Sequence, residues 1–478
     1  MTACIGSACR KTEVSIQMHY SRNTVTAIAV IIGSLLIPQH IIAQADAAQT
    51  AQTAEPRQKV TLTADDAVEL ALQTHIDIKR SQITLKQTQR ESSHSWNSLL
   101  PSIKATASGS RQGALKSENK TAQNTQELSA GLSASLTIDS GLGAKIKKLK
   151  SAYQAQQASY EDTVRSTESA VRQSFYNLLY LKEKVAAAKS TLESYQSQYD
   201  QTKNKYDRGV VPELDLLTAQ VNLETSKPDV DSALASYYNT LHEFLNTIGL
   251  ELPFSTDVEL SGSLDDAETV QRIGPEVIKG CEDKSPAVRQ LQDALRTAEY
   301  AKQYAYNSAY LPSLTLGANI FPEFHSKNLE TSDSSDKPYW NVSIGISLPL
   351  DSWIYGSSAR DTVAAQDDTI QDYKLQIADK KKTVRTSIIE KLTNIETSQK
   401  TLKARHLNLE LAEKSYKMTE EAYQRGTKDL LALQSSLDTL HSARLQLREE
   451  QYTLLKNVLE LENELSLASG TYFTTTSN

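Results

Sequence analysis

The chain has 478 residues, a net charge of −7, a hydrophobic fraction of 39% and 6% aromatics. This is lean for large compact cores and gives no overall basic field for nucleic acid. The abundant Gln, Ser, Thr, Lys and Glu suit long exposed helices better than a globular α/β enzyme. Cys4 and Cys9 lie near the start and only Cys281 falls in the body of the chain, which excludes a disulfide framework.

Residues 1–45 read as a secretory signal peptide. Arg22 precedes an apolar stretch from Val25 to Ile37, and Ala43-Gln44-Ala45 offers small residues for cleavage before Asp46. The segment before Met18 is too polar and too long for an ordinary n-region, so Met18 is an alternative start that leaves a signal of normal length. An apolar stretch of about 13 residues is too short to anchor the chain across a bilayer, which favours a cleaved signal. No cysteine follows in lipid-attachment position, and no later run is apolar enough for a transmembrane helix. An exported chain of this kind is either soluble or enters a membrane as a β-barrel.

Residues 46–60 form an Ala/Gln/Thr-rich linker. Thr63 with Asp66 then opens a helix as a capping box, and Leu70, Ile76, Ile78, Ile83 and Leu85 carry an apolar stripe until Pro101. Beyond Pro101 the period changes from 3.6 to 2, predicting strands over about 101–113 and 128–140. The second is the cleaner, with Leu128, Ala130, Leu132, Ala134, Leu136 and Ile138 alternating with Ser, Thr and Gly. After Gly143 there is no Pro or Gly as far as Tyr206, so one helix of about 64 residues is expected over 143–206, near 100 Å long. Val164, Val171, Leu178, Val185, Leu192, Tyr199 and Tyr206 keep a heptad seam along it. Arg208-Gly209 ends it in a left-handed turn, and a second helix returns to about residue 248, with Pro228 expected to kink or interrupt it.

The same order then repeats. Pro286 opens a helix that ends before Pro312, strands follow over about 312–324 and 339–352, and a long helical hairpin covers about 357–467. Leu100-Pro101-Ser102 returns as Leu311-Pro312-Ser313, and Tyr206-Asp207-Arg208-Gly209 as Tyr423-Gln424-Arg425-Gly426. The chain is therefore a duplicated unit, residues 61–265 and 266–478, each a helix, a β-hairpin and a long helical hairpin.

At roughly 3.3 Å per residue these strands are long enough to cross an outer membrane even when tilted. A soluble half-buried sheet alternates in the same way. Two features weigh against it. The polar face is Ser, Thr and Asn with few charges, and aromatics gather at the strand ends (Trp96, Tyr310, Phe321, Phe324, Tyr339, Trp340, Trp353, Tyr355). Leu132, Leu136, Leu314, Leu316, Ile320, Val342, Ile344 and Ile346 are the expected lipid-facing residues. The polar loops Ala114–Glu127 and His325–Pro338 fit external loops, and Lys145, Lys147, Lys148 and Lys150 form a basic cluster just past a strand end.

Enzyme signatures are missing. There is no Gly-rich phosphate loop and no Gly-x-Ser-x-Gly, and the histidines lack metal-ligand spacing. No catalytic residue, metal or cofactor is expected.

The ordered elements, Leu-Pro-Ser entering a strand in both halves, and Tyr-x-Arg-Gly-(x)5-Asp-Leu-Leu-x-Ala-Gln at Tyr206 to Gln220 together resemble the outer-membrane efflux protein family of the TolC type, over about residues 60–467. The resemblance implies a mainly α fold with β: a homotrimer with a shared 12-stranded outer-membrane β-barrel, continued by a long α-helical periplasmic barrel. It also implies a passive duct of a tripartite efflux or type I secretion system, with a periplasmic adaptor (membrane fusion) protein, an inner-membrane transporter and outer-membrane lipids as partners. Tyr206, Arg208, Gly209, Val210 and Pro212, with Tyr423, Arg425, Gly426, Thr427 and Lys428, would then be the adaptor-docking tips. Asp215 matches the motif's Asp and is a gate candidate, although a helix N-terminal carboxylate explains it equally. In the second half Ala432 takes that place and Asp429 lies three residues earlier, which puts a second acidic ring in doubt. Two other readings are a periplasmic adaptor, which normally has one helical hairpin flanked by compact β-domains, and a coiled-coil structural protein, which leaves the strands unexplained.

Overall fold

The computed structural model describes residues 59–112, 125–250, 257–321, 323–326 and 339–473. The signal sequence, the linker as far as residue 58 and most of both polar loops lie outside the described residues. A short strand, β1 (Lys59–Leu62), precedes the capping box. There Thr63 Oγ1 accepts from the Asp66 N–H at 3.2 Å and the Asp66 carboxylate accepts from the Thr63 N–H at 3.1 Å.

The stripe expected to form one helix up to Pro101 is divided. His75 leaves helical geometry (ψ 130°), separating α1 (Ala64–Thr74) from α2 (Ile76–Ser93). The break follows from docking: the Thr74 hydroxyl donates to the Ile248 carbonyl at 2.6 Å. Gly249 (φ +69°) allows that approach, since a Cβ there would lie 2.5 Å from Thr74. Of the α2 stripe only Ile78 is buried, while Ile76 and Ile83 are 69% and 65% exposed.

Next come β2 (Ser102–Gln112), β3 (Thr125–Ile138), α3 (Leu142–Tyr206) and α4 (Glu213–Thr247), of which α3 has 65 residues and α4 has 35. Pro228 does not interrupt α4. It is exposed, as is Glu224, whose carbonyl loses its helical donor. A strand absent from the sequence reading, β4 (Asp257–Leu260), pairs in parallel with β1, and three 3-10 turns follow before residue 284.

The second unit comprises α5 (Pro286–Tyr310), β5 (Ser313–Phe321), β6 (Glu323–Ser326), β7 (Tyr339–Ser347), α6 (Ser358–Gln424) and α7 (Leu430–Glu464), with 67 and 35 residues in the last two. Three expected strands differ in their bounds, the one expected over 312–324 being divided into β5 and β6. Strand β3 starts earlier than expected, because β2 pairs with it back to Thr125 and β6 pairs with Gln126–Ser129 on the other side. Strand β7 stops at Ser347 instead of reaching 352, and Asp351–Trp353 form a 3-10 turn. Pro349 has no N–H to offer a ladder there.

The core sits midway along the helices. Phe175, Leu178, Phe244, Ile248, Ile388 and Leu455 are almost completely buried, and β1, β4 and α1 pack on the same cluster. The heptad seam of α3 holds only through this region. Val171, Leu178 and Val185 are buried, but towards the turn Gln198 and Thr202 take the buried positions and Tyr206 is 38% exposed.

Candidate functional site

Strands β2, β3, β5 and β7 form one antiparallel sheet in that order, with β6 beside β3. Register decides what each face carries, because side chains alternate with period two. Leu132 lies opposite Ile320, Leu136 opposite Leu316, and Ile138 opposite Leu314. Leu314 in turn meets Ile346, Leu316 meets Ile344, Ala318 meets Val342, and Ile320 meets Trp340. All the expected lipid-facing residues thus share one apolar face, joined on β2 by Ile103 and Ala105. On β7 this face is 70–78% exposed from Trp340 to Ile346, a patch that water disfavours strongly.

The opposite face is small and polar. Ser133, Asn319 and Asn341 line up across three strands, as do Ser135, Gly317 and Ser343. The sheet is open. Among the described residues, β2 and β7 are the two end strands, each pairing with a neighbouring strand on one side.

At the far end of the helices, the two hairpin turns are built alike. Gly209 (φ +72°) and Gly426 (φ +73°) take the left-handed conformation. The Gly209 N–H donates to the Tyr206 carbonyl at 2.7 Å and the Val210 N–H to Lys205 at 2.9 Å. In the second turn Gly426 donates to Tyr423 at 3.0 Å and Thr427 to Ala422 at 2.9 Å. Both are Schellman ends, in which two orphan carbonyls of the last helical turn find donors.

The tips differ in how the returning helix starts. Asp429 caps α7, its carboxylate accepting from the Ala432 N–H at 2.9 Å. Pro212 precedes α4 without a side-chain cap, and Asp215 lies half-buried in the first turn. Arg425 pairs with Glu421 at 3.1 Å, whereas Arg208, Val210 and Lys428 are exposed.

Towards the tips, two of the described contacts join the hairpins. The Lys205 ammonium lies 4.0 Å from the centroid of the Tyr423 ring, joining the end of α3 to the end of α6. Further along, the Tyr195 hydroxyl donates to the Asp438 carboxylate, joining α3 to α7. Burial and the Asp438 charge push the Tyr195 phenol up, so it remains a donor. Sequence reading anticipated neither of these pairings. One signal was available: Gln198 and Thr202, polar and four residues apart, interrupt the apolar seam where the hairpins meet. Among the described residues no helix is long and apolar enough to cross a membrane, and no His, Cys, Asp and Glu side chains group as metal ligands.

The model of the family described as "Outer membrane efflux protein" matches residues 67–249 and 278–466, nearly all of both units except the segment around β4. The chain is 24% identical over 399 residues to the pyoverdine export outer membrane protein OpmQ of Pseudomonas aeruginosa, covering 80% of each. It is 24% identical over 287 residues to the cation efflux system protein CusC of Escherichia coli O157:H7, a match that spans 59% of each. The crystal structure of the Campylobacter jejuni CmeC outer membrane channel superposes with a TM-score of 0.69 at 20% identity, covering 92% of this chain and 96% of that one.

Proposed function

This chain belongs to the outer membrane efflux protein family, and from that premise we propose that it is the passive outer-membrane duct of a tripartite efflux or type I secretion system. It resides in the outer membrane and extends into the periplasm. The observation that carries the reading is the open sheet with one continuous apolar face. Four strands cannot close on themselves, and an apolar face with two bare edges is unfavourable in water and in lipid alike. Three copies, pairing β7 of one with β2 of the next, satisfy both edges in a 12-stranded barrel. The Leu, Ile, Val and Trp side chains then face lipid and the Ser, Thr, Asn and Gly positions face the lumen.

The helices continue that lumen. At about 1.5 Å per residue, α3 and α6 each reach roughly 100 Å, so the barrel extends deep into the periplasm. A small-polar wall lets solutes pass without holding them. Energy comes from an inner-membrane transporter reached through a periplasmic adaptor, because an outer membrane offers no ATP. The tips around Gly209 and Gly426 are the docking and gating region, with Asp215 lining the constriction. Asp429 is occupied as a helix cap and contributes less.

Fractionation tests the assignment. A heat-modifiable trimer in the outer-membrane fraction is expected. A freely soluble periplasmic protein, as a coiled-coil structural role requires, would overturn it.

A further inference from the structure

All four junctions between the strands and their flanking helices lie at one end of the sheet, since Ser102 pairs with Ser135, Ile138 with Leu314 and Ser313 with Ser347. This end carries an apolar collar: Leu350, Trp353, Ile354 and Tyr355 are 64–90% exposed, and Trp353 meets Tyr310 edge-on at 5.6 Å. Just past the collar, a groove of about 410 Å³ opens between α3, α5 and α6. Alanines on successive turns of α5, among them Ala305, line it, together with Tyr304, Ser308 and Thr362, and Lys148 is its single charged lining residue.

Depth identifies what fits. Lys148 lies six residues into α3, Thr362 four residues into α6, and Tyr304 six residues before the end of α5. At 1.5 Å per residue the groove is about 6–9 Å beyond the junctions. The headgroup layer of a bilayer is roughly 5–8 Å thick on each side of the hydrocarbon. The Lys148 amine is therefore level with lipid phosphates when the apolar sheet face is level with acyl chains. Charge agrees: Lys145, Lys147 and Lys150 flank Lys148 on α3, with Lys145 donating to Ser98 at 3.0 Å. The neighbouring Asp139 carboxylate is engaged by the Ser308 hydroxyl at 2.9 Å and by the Gly141 N–H at 2.6 Å, which reduces its opposition to an anion.

We propose that this groove binds the headgroup of an anionic glycerophospholipid from the inner leaflet, with Lys148 at its phosphate and the acyl chains rising past Tyr310 and Trp353 onto the apolar sheet face. The proposal rests on the outer-membrane reading above. It makes the seating of the channel depend on lipid charge.

The test uses the full-length trimer in phosphatidylcholine vesicles containing spin-labelled phosphatidylglycerol or spin-labelled phosphatidylcholine, and measures the motionally restricted fraction of each. The wild type should prefer phosphatidylglycerol. Lys148→Gln should lower that preference about five-fold, the effect of one lysine at a lipid surface. Ala305→Leu, which fills the groove and leaves every charge in place, should lower it similarly, while Lys147→Gln should change it little. An unchanged preference in both groove variants would overturn the proposal, as would a preference that follows Lys147 and Lys150 alone. Loss of the trimer with Ala305→Leu would also overturn it, by showing that a neighbouring copy fills the groove. A wild-type protein that fails to insert into any vesicle would instead count against the channel reading itself.

Discussion

The Lys205 ammonium rests over the Tyr423 ring, 4.0 Å from its centroid, and so ties the tip of the first helical hairpin to the tip of the second. A cation–π contact at a partly exposed site contributes about 0.5–2 kcal/mol. Lys205→Gln should therefore loosen the tip and raise the resting conductance of the trimer. Tyr423→Leu should do the same, and the double variant should add little to either single change. Fully additive effects in that cycle would show that the two residues act independently.

Gly209 and Gly426 have open space around the position of a Cβ, so a side chain there meets only the backbone penalty of positive φ. Replacing either by Val should cost roughly 1–2 kcal/mol locally. Export and cross-linking to an adaptor should fall, while trimers still assemble, since both turns lie far from the sheet. Normal export by both variants would remove the docking role from the tips.

Facing in the sheet can be tested with paired substitutions. Leu132→Arg or Ile344→Arg should cost about 2–4 kcal/mol near the bilayer midplane and reduce the folded trimer recovered from membranes. Ser133→Arg and Ser343→Arg place the charge in the lumen and should be much milder. A greater sensitivity at the serines would invert the assignment of the two faces.

Much of this was legible in the sequence, because the informative patterns are long. Alternation over ten residues gives a strand its facing, and more than sixty residues without Pro or Gly give a helix its length. Left-handed turns of the Arg-Gly type end both helices, as Gly209 and Gly426 bear out. The middle of the molecule was not legible. Strands β1 and β4 are four residues each, and their parallel pairing joins Lys59–Leu62 to Asp257–Leu260 across most of a repeat. The hinge at His75 depends on Thr74 meeting Ile248, a tertiary contact with no local signal. At the tips the glycines announced the turns, but Lys205 on Tyr423 and Tyr195 on Asp438 are choices among many surface Lys, Tyr and Asp residues that only packing makes.

The segment around β4 is held to α7 by Asp265, which accepts from Arg448 at 2.7 Å and Gln451 at 3.1 Å. Burial alone would raise this carboxyl, but Ser263, Arg448 and Gln451 together hold it below its ordinary value. A depressed folded-state pKa stabilises above the unfolded value near 3.9, and that contribution disappears as pH falls through the folded value. Hydrogen-exchange protection of residues 264–269 should therefore weaken below about pH 4, and Asp265→Asn should flatten that dependence. Protection that ignores pH in the wild type would show that this clamp contributes nothing.

Single-channel recording from the purified trimer in a planar bilayer tests the duct most directly. The account predicts a small ionic current with no nucleotide present, rising when Lys205→Gln loosens the tip contact and rising again when Asp215→Ala removes the carboxylate proposed to line the constriction. A trimer that stays electrically silent in all these forms, or that conducts only while hydrolysing ATP, would contradict it.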